Sequence, residues 1–135
     1  MKTINLKNAI YAGLFVYSIG ITFFIGSYYA PLIDDPELQS NLILAIVIIP
    51  VAMLGAMFYY HKSTQTHGLL VGLVLFLIAG ILDALITVPI FFIPEGGNHF
   101  QFFTNPWFWC IGLEYVLSVY IYSYFRIAKL NNLTR

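Results

Sequence analysis

The stretch GLLVGLVLFLIAGILDALITVPIFFI, residues 68–93, carries a single charged side chain, Asp83. About 20 apolar residues suffice for a helix to cross the hydrocarbon core of a bilayer. The stretch therefore reads as a transmembrane helix running roughly from Gly68 to Ile93. Three more stretches have the same character, roughly Asn8 to Ala30, Asn41 to Tyr60 and Pro106 to Arg126. Short connections make sequence neighbours antiparallel neighbours in space. The expected fold is all-α: one transmembrane domain over residues 1–135, an antiparallel up-and-down four-helix bundle.

Composition excludes the other classes. Of 135 residues, 60% are hydrophobic, 18% aromatic and 9% charged, and mean hydropathy is +0.83. Soluble domains carry about 25% charged residues, and disordered chains need low hydrophobicity with high charge. Six Lys and Arg balance six Asp and Glu without a basic run, so no nucleic-acid partner is expected. One cysteine excludes an intrachain disulfide framework and a cysteine metal site. The first span follows Lys2 and Lys7 but exceeds the about 7–15 apolar residues of a signal peptide, and bulky Tyr28 precedes the best cleavage point, so it reads as uncleaved.

Charge orients the bundle. Lys2, Lys7, Lys62, Arg126, Lys129 and Arg135 all fall on one side of the expected membrane, whereas Asp34, Asp35, Glu37 and Glu95 fall on the other. The positive-inside rule puts both termini in the cytoplasm of a multi-pass protein of a bacterial cytoplasmic (inner) membrane. Tyr28, Tyr29, Trp107 and Trp109 match the outer aromatic belt, and Tyr11, Tyr59, Tyr60, Tyr122 and Tyr124 the inner one.

The remaining acids, Asp83 and Glu114, lie inside spans three and four. A charge at the bilayer centre costs about 2.5–3.5 kcal/mol on insertion scales, and such residues commonly face the bundle interior and carry function. Their depths below the outer surface are roughly 15 and 12 Å at 1.5 Å per residue. No Lys or Arg lies within a span, so at least one of the two carboxyls is expected to hold a proton at neutral pH. Gly72, Phe76, Gly80, Asp83 and Thr87 follow helical spacing on span three, and Cys110, Glu114, Ser118 and Tyr122 recur every fourth residue on span four. Span one offers Tyr11, Ser18 and Thr22, and span two Asn41 with small residues. The candidate ligand- or proton-binding set is Asp83, Glu114, Thr87, Ser118, Cys110 and Tyr115. A purely structural hydrogen bond between Asp83 and Glu114, fixing helix register, is the alternative.

Other signals are plainer. Pro50 and Pro89 free backbone carbonyls within spans two and three. His61 and His67 read as solvated, and His99 with Glu95 is too small a set for zinc. Cys110 reads as a small buried hydrophobe. The segment from Glu95 to Asn105, with its paired glycines and three Phe in four residues, reads as an interfacial anchor or as a lid over a cavity. Nucleotide, haem, flavin and hydrolase motifs are absent, so no cofactor is expected and an enzyme is the less favoured class.

The Gly-rich third span, the Leu82-Asp83 pair, Pro89 and the aromatic fourth span resemble small four-span bacterial membrane proteins of unknown function. An intramembrane Asp, then Pro106-Trp107-Phe108 and Glu114, is similar locally to the sterol-isomerase and sigma-2-receptor family. That family carries its acids in the first two spans, whereas this chain carries them in the last two. The likeness implies only that two intramembrane carboxyls can serve a lipophilic site. Small multidrug exporters place an essential Glu in span one, where this chain has no acid.

Three functions fit these residues. The first is proton-coupled binding or transport of a small lipophilic or cationic molecule, with a homodimer supplying interior volume. The second is an accessory or structural subunit of a larger membrane complex. The third is a proton shift on a lipid, with one carboxyl as acid and the other as base.

Overall fold

The computed structural model describes residues 4–61 and 66–133, and all of its regular secondary structure is helical. Lys2, Lys62 and Arg135, used above for orientation, lie outside the described residues. Three helices are long and apolar enough to cross a membrane: Leu6–Tyr29, Pro36–Tyr60 and the continuous helical run Gly68–Glu95. We name the first two α1 and α2. The third run comprises α3 (Gly68–Leu82), a π-helical stretch (Asp83–Phe92) and a 3-10 turn (Ile93–Glu95). A short helix α4 (His99–Thr104) leads to α5 (Pro106–Leu133). α5 equals the others in length, but Glu114 and four tyrosines between Tyr115 and Tyr124 make it less apolar.

Local chemistry sets the helix starts. Asn5 and Asp35 accept hydrogen bonds from the backbone N–H groups of Asn8 and Leu38, both at 3.1 Å, and Pro36 occupies the first position of α2. α2 therefore begins five residues before the expected Asn41. Asn98 starts α4 by accepting from Gln101 N–H at 2.8 Å, and Gly96 ends the 3-10 turn at φ 92°, a left-handed conformation that suits glycine.

α1 packs along α2 and α3, and α5 packs along the same two. The order around the bundle is thus α1, α2, α5, α3. α2 and α3 stand on a diagonal, contrary to the expectation that every pair of sequence neighbours would touch. The reason is close approach elsewhere. A Cβ on Gly72 would lie 2.9 Å from the backbone oxygen of Val116, so α3 sits directly on the backbone of α5. Ala9, Ala12, Gly13, Val16 and Gly20 form a matching small-residue stripe on α1. The interior mixes Ala9, Ala12, Ala52 and Ala56 with Val16, Leu75 and Tyr59, while Ile46, Leu77, Leu85 and Leu113 are exposed.

One end of the bundle is tightly bonded. Tyr59 Oη shares a 2.8 Å hydrogen bond with Thr66 Oγ1 and accepts from Asn5 N–H at 3.0 Å. Tyr60 Oη donates to the Thr66 carbonyl at 2.8 Å. The Arg126 guanidinium lies 5.1 Å from the Tyr60 ring centre and donates to the Tyr60 carbonyl. These tyrosines, with Thr66 and Ser123, are buried. The described basic residues Lys7, Arg126 and Lys129 cluster at this end, and Asp34, Asp35, Glu37 and Glu95 at the other.

Candidate functional site

The π-helical stretch begins at Asp83, deep in the chain's most apolar segment. In a π-helix the N–H of residue i+5 serves carbonyl i. Five residues beyond Ala84 stands Pro89, which has no N–H. The Ala84 carbonyl is instead met by His99 Nε2 at 2.9 Å, which requires the ring proton on that nitrogen. The freed carbonyl expected from Pro89 is thus satisfied by His99, considered above only as a zinc ligand beside Glu95, and that bond ties α4 to the π-helix.

Thr87 Oγ1 donates to Asp83 Oδ1 at 2.7 Å, within the π-helical stretch. Tyr17 Oη on α1 lies 2.8 Å from the same threonine oxygen. Thr87 has one proton and spends it on Asp83, so Tyr17 is the donor in the second bond. The result is a directed chain, Tyr17 to Thr87 to Asp83, across two helices.

Asp83, Thr87 and Tyr17 line a cavity of about 110 Å³ enclosed by α1, α2, the third helical run, α4 and α5. Asn41, Tyr115 and Trp107 supply most of its remaining polarity. Tyr115 is 3% exposed, and its hydroxyl has no hydrogen-bond partner among the described residues. Leaving a buried hydroxyl unpaired costs about 1–3 kcal/mol. Phe76, Phe102 and Phe108 form the aromatic wall; the Phe76 and Phe108 ring centres are 5.3 Å apart. Phe102 belongs to α4, so the Phe-rich segment forms part of the cavity wall.

A second cavity of about 330 Å³ lies toward the acidic end, beside Tyr28, Tyr29, Glu95 and Gln101. Phe24, Glu37, Phe92 and Asn105 line both. The two spaces are therefore adjacent, and these four residues stand at their shared boundary, which we call the neck.

The structure unites part of the candidate set. Asp83, Thr87 and Tyr115 face one cavity; Glu114, Ser118 and Cys110 are not among its lining residues. No hydrogen bond joins Glu114 to Asp83 among the described residues, and the Glu114 side chain is half-buried. The Ser118 hydroxyl donates to the Glu114 carbonyl at 2.7 Å, an ordinary within-helix bond. Cys110 is exposed rather than buried. The cause is geometric. A helix of 3.6 residues per turn advances about 100° per residue, so Cys110 and Glu114 stand about 100° around α5 from Ile111 and Tyr115, the next residue in each case. The inward face of α5 runs instead through Ile111, Tyr115, Ser118 and Val119.

On α1 the expected polar side is likewise turned away. Tyr11, Ser18 and Thr22 are exposed, and the last two bond only to backbone carbonyls four residues earlier. Tyr17 was missed, although it sits four residues after Gly13, beside the small-residue stripe. Glu37 and Asn105 were missed because loop carboxamides and carboxylates give no sign of lying over a cavity. Among the described residues no group of three or more His, Cys, Asp or Glu is placed to hold a metal ion.

No protein-family model, no curated protein and no solved structure matches this chain. The site alone carries the functional argument.

Proposed function

We propose that the chain is a multi-pass membrane protein, crossing four times with both termini in the cytoplasm, that binds or transports a small lipophilic or cationic molecule in exchange for a proton. The observation that carries this reading is the Tyr17–Thr87–Asp83 chain beside a cavity that Tyr115 also lines. Support for the membrane comes from three long apolar helices and from the large apolar side chains on the outside, among them Ile46, Leu77, Leu85 and Leu113. In lipid, packing and hydrogen bonds hold helices together, because burying apolar groups brings no hydrophobic gain there. Support for the orientation comes from the separation of basic and acidic ends.

One carboxylate can hold a proton or a cation, and the two compete. A cation arriving at Asp83 displaces the proton, and a proton arriving displaces the cation. Thr87 and Tyr17 hold the carboxyl in one orientation, so exchange takes place at a fixed point in the cavity. Glu114 is not required for this step.

The reading is tested by native mass spectrometry of the protein, released gently from its own membranes. A small bound mass that is lost in Asp83→Asn supports it. A protein that carries no small molecule, wild type and variant alike, overturns it. A second reading, an accessory or structural subunit of a larger membrane complex, is favoured by Glu114, a half-buried carboxyl with no partner among the described residues and no place in the cavity. Stoichiometric co-purifying protein in the same spectra is its signature.

A further inference from the structure

We infer that the ligand is a small organic cation, an ammonium on an apolar or aromatic body, admitted from the acidic end through the neck at Glu37. The inference rests on the binding reading above and specifies what that site accepts.

The neck carries the argument. It brings together Phe24 of α1, Glu37 of α2, Phe92 of the π-helix and Asn105 before α5. Its one ionisable group is a carboxylate. The outer cavity adds Glu95 and the residues Tyr28 and Tyr29; the inner cavity includes Asp83. Among the described residues no Lys, Arg or His lines either space, and the described Lys and Arg residues sit at the opposite end of the bundle. A cleft lined by one sign of charge with low-dielectric walls concentrates ions of the other sign. Anions are disfavoured along the whole route.

The inner cavity refines the chemistry. Its aromatic walls suit a cation, since ring faces attract positive charge. An ammonium has N–H donors and no acceptor. The Asp83 carboxylate on the cavity wall, when ionised, can only accept, and the Asn41 carboxamide on the same wall can accept through its oxygen. The volume of about 110 Å³ limits the body. A cavity of about 150 Å³ accepts benzene, so one ring or a short branched chain fills this one, with the neck taking any tail.

The test uses the full chain in lipid nanodiscs with Trp109→Phe, which leaves Trp107 on the cavity wall as the only tryptophan. Benzylammonium and its neutral counterpart benzyl alcohol are titrated at low ionic strength, and Trp107 fluorescence is read. Benzylammonium is expected to bind at least tenfold more tightly. Glu37→Gln is expected to narrow that ratio at least threefold, as is added salt. Glu37 is exposed and Asp35 caps the helix, so the variant keeps the fold; Glu95→Gln is the companion variant. Equal affinity for the two probes overturns the inference while leaving a lipophilic site intact. A cation preference untouched by both variants overturns the route through the acidic neck. Absence of binding by either probe overturns the inference and the binding reading together.

Discussion

Replacing the two intramembrane acids one at a time separates the roles that their shared depth would assign them. In Asp83→Asn the side chain keeps its shape, and its carbonyl oxygen still accepts from Thr87 Oγ1, where the present bond is 2.7 Å. The fold should therefore survive, with a change in stability below about 1 kcal/mol, the scale of one hydrogen bond between helices in a membrane. What disappears is the negative charge. A hydrogen bond to a charged group contributes about 1.5–3 kcal/mol, and each 1.4 kcal/mol is tenfold in affinity. Benzylammonium should bind about 10- to 150-fold more weakly. Glu114 lines no part of the cavity and has no bond to Asp83, so Glu114→Gln should change the affinity less than twofold. The assay is the Trp107 fluorescence titration, with thermal unfolding of each variant as a control for the fold. Equal losses in the two variants would refute the separation of these residues. An unchanged affinity in Asp83→Asn, with a lowered unfolding temperature, would make Asp83 a structural residue.

Four further outcomes are expected. Thr87→Val removes the hydroxyl that joins Tyr17 to Asp83 and should cost about 1–2 kcal/mol of stability, read by denaturant titration in detergent; Tyr17→Phe should cost less, because Thr87 keeps its bond to Asp83. Benzylammonium affinity should fall about tenfold per pH unit once the solution is acidic enough to protonate Asp83, and this dependence should vanish in Asp83→Asn, as measured by the same titration across pH. Gly72→Ala sets a methyl 2.9 Å from the backbone oxygen of Val116, which cannot rotate away, so α3 and α5 must separate; a loss of about 1–3 kcal/mol is expected, the usual scale of overpacking. Leu32, between α1 and α2, is 91% exposed; in a Cys110→Ala background, Leu32→Cys should react with a membrane-impermeant maleimide added to intact cells, and labelling only after lysis would reverse the orientation.

The extents of the long helices were legible because lipid imposes a coarse rule on length and polarity. The starts were less so: Asp35-Pro36-Glu37 is a cap followed by a first-turn proline, yet its charges placed it in a connection. Asp83 and Thr87 were found together because their spacing of four residues puts both toward the same cavity in the π-helical stretch. Glu114 was grouped with them through a four-residue stripe that stands one residue before the buried one of Ile111, Tyr115 and Val119, and through depth, which fixes height in a bundle but not direction. Tyr17, Glu37 and Asn105 depend on which helices are neighbours. With α2 and α3 on a diagonal, the order around the bundle follows from close contacts such as Gly72 on Val116 rather than from connection length. His99 could have been anticipated from Pro89 alone, had the helix been read with a five-residue hydrogen-bond pattern.

The bonded end built by Tyr59, Tyr60, Thr66 and Arg126 has an electrical consequence. In the reading proposed here, that end is closed by these bonds, and a cation and the proton it displaces use one mouth, beside Glu37. At a depth roughly halfway across the hydrocarbon layer, a cation moving alone would feel about half of the 2.3 kcal/mol that 100 mV exerts on a full crossing. A proton leaving by the same mouth cancels that displacement. Exchange at the bottom of such a well moves no net charge, so occupancy is expected to be indifferent to membrane voltage, and the protein in this conformation to be silent in a conductance recording.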